Sequence, residues 1–99
     1  MLIFDDCNIE GAVNGIIAGN FGASGQSCVA GSRVFIQRSI HSEIISKIKE
    51  RSKSIIVGNP LDEKTQVGPL ATTLQVERAS SVIKQSIKQG ARLVFGGNR

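Results

Sequence analysis

The sequence contains no tryptophan and no tyrosine, and its four aromatic residues are all phenylalanine. A platform of aromatics interleaved with basic side chains, the usual means of stacking single-stranded nucleic acid, is therefore missing. Cysteine is scarce as well. Cys7 and Cys28 fall short of a disulfide framework, and with His41, the one histidine, they lack the ligand spacing of a zinc site. No apolar run approaches the roughly 20 residues of a membrane span. Met1-Leu-Ile-Phe-Asp-Asp6 carries neither the basic start nor the small-residue cleavage site of a secretory signal. Together these absences point to a cytoplasmic protein with two reduced thiols and with no nucleic-acid, membrane or metal partner.

What is present belongs to a globular chain. Of 99 residues, 40% are apolar and 20% charged, which at this length allows one core at most. The net charge of +4 is spread from Arg33 to Arg99 and interrupted by Glu43, Glu50, Asp62, Glu63 and Glu77, as on a solvated mixed-charge surface. The dense basic patch, Lys47 to Lys53, falls on a stretch whose other face is apolar.

Periodicity divides the chain into alternating strands and helices. Met1-Leu-Ile-Phe4 suits a short buried strand. Ile9, Ala12, Val13, Ile16 and Ile17 recur at helical spacing, with Asp6 or Asn8 available as the cap. Gly11, Gly15 and Gly19 weaken that helix unless packing compensates or neighbouring backbone comes close. Asn20 to Gln26 predicts a loop, Val29 to Arg33 a short helix or irregular turn, and Val34-Phe-Ile36 a strand. A second helix carries Ile44, Ile45, Ile48 and Ile55 on one face, with Lys and Glu opposite. Gly58-Asn-Pro60 breaks it. A third starts at Thr72, with Gln75 completing a capping box, presents Val76, Ala79, Val82, Ile83 and Ile87, and ends at Gly90. Ala91 to Phe95 reads as a last strand. The alternation predicts an α/β fold, a partial three-layer layout with mainly parallel strands.

Chemistry concentrates at Cys28. Phe21-Gly-Ala-Ser-Gly-Gln-Ser-Cys28 sets a thiol just after a loop of small residues, where backbone amides can approach a reacting atom and hold an oxyanion. Such a setting favours the nucleophilic thiolate. A lone cysteine is also, in general, a small buried hydrophobe, and the residue pattern by itself leaves both readings open.

The segment F-G-A-S-G-Q-S-C-V-A-G-S, Phe21 to Ser32, resembles the cysteine signature of the aldehyde dehydrogenase family. Gly58-Asn-Pro-Leu61 with Thr65-x-x-Gly-Pro-Leu70 is similar to a second motif of that family. Gln75-Val-Glu-Arg78, Gly90-Ala-Arg-Leu93 and Gly96-Gly97 resemble the helix and strand after that motif. I-F-D-D-C-N-I-E-G-A resembles the strand, turn and helix that lead to the cysteine. The resemblance spans essentially all 99 residues in order. It implies a piece of the catalytic domain, residues 1–99, in which Cys28 is the nucleophile that attacks a small-molecule aldehyde. In the family the cysteine amide helps hold the oxyanion, hydride passes to NAD or NADP, and water hydrolyses the thioester. Ser27 and Val29 would then face the substrate pocket, and Phe21 would match an aromatic near it. Gly22 stands where other members often have a bulky residue, which implies a wider tunnel.

The family's general-base glutamate, in an E-L-G-G-K-like motif, has no counterpart here. The oxyanion asparagine, the ribose-holding glutamate, the dinucleotide-binding domain and the oligomerisation ribbon are likewise missing. No residue of this chain is therefore assigned to the cofactor, and Gly22 to Gly31 lacks the G-x-G-x-x-G fingerprint. The complete parent is expected to be a homodimer or homotetramer. The 99 residues alone are expected to be inactive and to self-associate. Transfer of the thioester to coenzyme A is the variant within the family. A catalytically silent structural or interaction module is the reading outside it. Cys7 reads as a small buried side chain or helix-entry residue, and His41 as a surface residue opening the second helix.

Overall fold

The structure, a computed structural model, describes residues 1–98. Strand β1 (Leu2–Ile3) leads to helix α1 (Ile9–Phe21) and a 3-10 turn (Gly22–Gly25). Strand β2 (Phe35–Ile36), helix α2 (His41–Lys53) and helix α3 (Thr73–Lys88) come next in the chain. The α/β character and the parallel pairing hold: Leu2 lies opposite Phe35 and Ile3 opposite Ile36.

Both strands are shorter than the apolar runs that predict them. The Gln37 amide donates to the Ile3 carbonyl at 2.9 Å, but the ladder goes no further. Asp5 stops it, because its amide donates to the Gln37 side chain and its carboxylate accepts from Gln37 and Ser39. Beyond it, Asn8 rather than Asp6 caps α1, accepting the Gly11 amide at 2.7 Å. Cys7 is the half-buried residue before that cap, so the helix-entry reading is the one the structure bears out.

The core is small and lies where α1 meets α2. Ile44 is 0% exposed, Val13 1% and Ile16 5%, with Ile3, Ile9, Val34, Ile36 and Ile48 packed around them. Each such aliphatic contributes about 1.5–3 kcal/mol when fully buried, so three of them carry much of this unit. At the rim, Glu10 of α1 pairs with Lys47 and Arg51 of α2. The Lys47 ammonium, hydrogen-bonded to Glu10, holds the carboxyl below its usual value and is itself raised in return.

Helix α2 ends at Lys53, earlier than the spacing of Ile55 implies. The Ser54 hydroxyl and amide both turn back to the Arg51 carbonyl, which uncouples Ile55 from the helical face. The chain then closes a loop on itself. The Gly58 amide donates to the Val67 carbonyl at 3.1 Å, and the Gln66 and Val67 amides both donate to Ile56. Inside the loop the Asn59 side chain accepts from the Leu61 amide and that of Asp62 from the Lys64 amide.

The structure falls into two compact units, Met1–Pro69 and a second from Leu70 onward. In the second, the Thr72 hydroxyl accepts the Gln75 amide at the start of α3. At its end, Gly90 takes a left-handed conformation (φ 95°), and the Gly90 and Ala91 amides close back on the Ile87 and Ser86 carbonyls, both at 3.0 Å. That is the two-bond helix stop glycine makes accessible. Helix α3 has no buried residue. The strand expected over Ala91 to Phe95 does not form. A strand needs a ladder partner, and none pairs with this segment among the described residues. Leu93 instead lies beside Gly97, close enough that a Cβ there would sit 3.2 Å from its methyls.

Candidate active site

Helix α1 delivers the chain to Cys28 through a bend. The Gly22 amide caps the helix on the Ala18 carbonyl. Ala23 (φ 50°, ψ 39°), Ser24 (φ 55°, ψ 32°) and Gly25 (φ 71°) then lie in succession in the left-handed region. Only Gly25 takes it without a steric penalty, and for residues with a Cβ that penalty is roughly 1–2 kcal/mol each. The Gln26 amide closes the bend on the Ala23 carbonyl at 3.0 Å, and the Ser24 hydroxyl donates to the Gly68 carbonyl at 2.9 Å.

Next comes a β-turn from Ser27 to Ala30, closed by the Ala30 amide on the Ser27 carbonyl at 3.1 Å. Cys28 and Val29 are its two corner residues. The Val29 amide leans on the Ser27 hydroxyl at 3.4 Å, and the Gly31 amide returns to the Gly19 carbonyl at 3.0 Å. Among the described residues the Cys28 amide has no acceptor, and the thiol is free and exposed. A thiol and an unpaired N–H therefore share one turn corner. The segment from Val29 to Arg33 is the irregular turn, not the short helix.

Ser27, Cys28 and Val29 are thus brought together, Val29 being 86% exposed. Phe21 is the last residue of α1. It lines an apolar hollow with Ile17, Ala18, Gly22, Ile55, Gln66 and Val67, whose walls include none of the other three. A Cβ on Gly22 would meet nothing within 4 Å, in keeping with an open position there. The residues that pattern reasoning passes over are Ser24 and Gly68. Glycine at 25 signals a left-handed site, but nothing local signals a serine hydroxyl that reaches 44 residues ahead.

The sequence model of the aldehyde dehydrogenase family matches residues 1–99. The chain belongs to that family. A betaine aldehyde dehydrogenase of Sinorhizobium fredii is 43% identical over 97 residues, covering 98% of this chain and 20% of that protein. A (Z)-2-((N-methylformamido)methylene)-5-hydroxybutyrolactone dehydrogenase of Acinetobacter baylyi is 46% identical over 96 residues, with 97% and 20% covered. Among solved structures, betaine aldehyde dehydrogenase of Staphylococcus aureus in complex with NAD+ superposes with a TM-score of 0.96 at 35% identity, over 99% of this chain and 20% of that one. An NADP-dependent enzyme of E. coli does so at 0.94 and 30% identity, with 98% and 20% covered. The chain spans about a fifth of the length of the aldehyde dehydrogenases it matches. Aldehyde dehydrogenases are enzymes, and the S. aureus relative binds NAD+.

A dinucleotide does not fit the residues at hand. The glycines between Gly22 and Gly31 come after a helix instead of a strand and open onto a thiol turn, not onto a helix N-terminus that would receive a pyrophosphate. No helix of the described residues is long and apolar enough to cross a membrane.

Proposed function

We propose that this chain is the nucleophile-bearing part of an enzyme that oxidises a small-molecule aldehyde to its carboxylic acid with NAD or NADP, through a thiohemiacetal and then a thioester on Cys28. One observation carries the reading: an exposed thiol sits on a turn corner beside its own unpaired amide. The Cys28 thiolate adds to the aldehyde carbon, the carbonyl electron pair moves onto oxygen, and the Cys28 N–H is free to donate to the oxyanion so formed. Ser27 and Val29 flank the bound aldehyde, and Phe21 supplies an apolar wall further along. A bound NAD(P) would supply the hydride acceptor, and it would be held mainly by residues outside these 99.

Release of the thioester to water is favoured over transfer to coenzyme A, because Gly25-Gln-Ser-Cys-Val-Ala-Gly-Ser-Arg33 resembles the hydrolytic members. Residues 1–99 form part of the catalytic domain of a cytoplasmic parent that assembles as a homodimer or homotetramer. The 99 residues alone self-associate through the exposed Leu74, Val82 and Ile87 of α3. The relatives that act on betaine aldehyde support the substrate class and not one aldehyde.

The test is turnover. The purified chain should form no NADH or NADPH with any simple aldehyde, because it lacks a positioned acceptor and a water-activating base. The complete parent should be active and should lose that activity in Cys28→Ala. Cofactor reduction by the chain alone, or an active Cys28→Ala parent, would overturn the proposal.

A further inference from the structure

We infer that Ser24 is a positioning residue for Cys28, acting through the hydrogen bond from its hydroxyl to the Gly68 carbonyl. The inference rests on Cys28 as the nucleophile and adds a residue that the motif leaves unspecified.

Two consecutive left-handed residues bearing a Cβ, Ala23 and Ser24, persist only where their surroundings over-determine them. Two of the bonds at this bend are local: Gly22 to Ala18, and Gln26 to Ala23. Neither refers the bend to anything beyond α1. The Ser24 hydroxyl does, at 2.9 Å and in a half-buried setting. Its acceptor is held firmly. Gly68 comes directly after Val67, whose amide and carbonyl are both tied into the loop stem, to Ile56 and to Gly58. The closed loop thus gives the bend a fixed reference. The turn that presents the thiol begins three residues after Ser24, so a rotation at Ser24 is passed directly to the Cys28 corner. Losing the hydroxyl also leaves the Gly68 carbonyl without this donor, which favours rearrangement over a simple vacancy.

The complete enzyme carrying this chain provides the test, with rates expressed per folded active site. Ser24→Ala is expected to lower kcat for a simple aldehyde about tenfold, the kinetic equivalent of one hydrogen bond, with KM changed less than about twofold. Ser24→Gly relieves the left-handed backbone but lacks the hydroxyl, and should fall as far. Ser24→Asn tolerates the conformation and keeps a donor, and should stay within about threefold of the parent rate. Ala and Gly variants that keep kcat within about twofold would overturn the inference. So would a Gly variant that recovers while Ala does not, since backbone strain would then be the whole effect, and so would a loss confined to KM. Where Ser24→Ala fails to fold, the Gly and Asn variants decide. Cys28→Ala is run alongside: its retained activity would remove the nucleophile assignment itself, a result distinct from a silent Ser24.

Discussion

The amide of Gly31 donates to the carbonyl of Gly19 at 3.0 Å, so the chain leaving the Cys28 turn is tied to the last turn of the helix that entered it. That approach leaves little space at Gly31. A Cβ there would lie 2.5 Å from the Met1 sulfur and 2.9 Å from its Cγ. Gly31→Ala must displace the Met1 side chain, which also reaches Gly15 and Gly19, and should destabilise the fold by about 1 kcal/mol. Urea unfolding checks this, and an unchanged midpoint would show that Met1 moves aside freely.

The two thiols should differ in reactivity. Cys28 is exposed on a turn corner, whereas Cys7 is half-buried at the entry to α1. Under limiting iodoacetamide near neutral pH, mass mapping should find Cys28 alkylated first. Equal labelling would mean that the turn does not hold in solution.

Gly22 is where size selectivity is open to change. Its backbone (φ −53°, ψ 141°) accepts any side chain, and a Cβ there meets nothing within 4 Å. Gly22→Phe in the complete enzyme should therefore fold normally. It should lower kcat/KM for a bulky aldehyde more than for a small one, by roughly tenfold in the ratio. An unchanged ratio would place Gly22 away from the substrate path.

Acid stability should depend on Glu10. Its folded carboxyl is held below the ordinary 4.5 by the hydrogen bond and charge of Lys47, and then by Arg51. A lowered carboxyl stabilises the fold above the ordinary value and loses that contribution as pH falls through the folded one. Melting temperature followed downward from 4.5 should accordingly drop faster in the parent chain than in Glu10→Gln. Because the pair is exposed, the difference should shrink in high salt. Parallel curves would show that the pair adds nothing.

The helices were legible because their signals are local. Asn8, Thr72 and Gly90 act within a turn of where they stand, and Val13, Ile16 and Ile44 keep to the helical period. Ile55 misled because the period continues past Ser54 although the hydrogen bonds do not. Ala91 to Phe95 misled for another reason: strand propensity says nothing about whether a neighbouring strand exists to pair with. At the site, the motif set Ser27 and Val29 on either side of Cys28, and the structure adds that the three share one turn. It could not reveal that Phe21 turns into a hollow with Ile55 and Val67, because those neighbours are more than 30 positions away in sequence.

The loop from Ile56 to Val67 is closed at its stem, while the bonds at its far end are local ones among Asn59, Leu61, Asp62, Lys64 and Thr65, and Leu61 is 90% exposed. Length can therefore vary at that tip without moving the stem, since lengthening a closed surface loop costs little and its ends stay fixed. An extra residue or a grafted label between Leu61 and Lys64 would leave the Gly68 carbonyl where Ser24 meets it. The tip is a handle on the molecule that does not pull on the thiol.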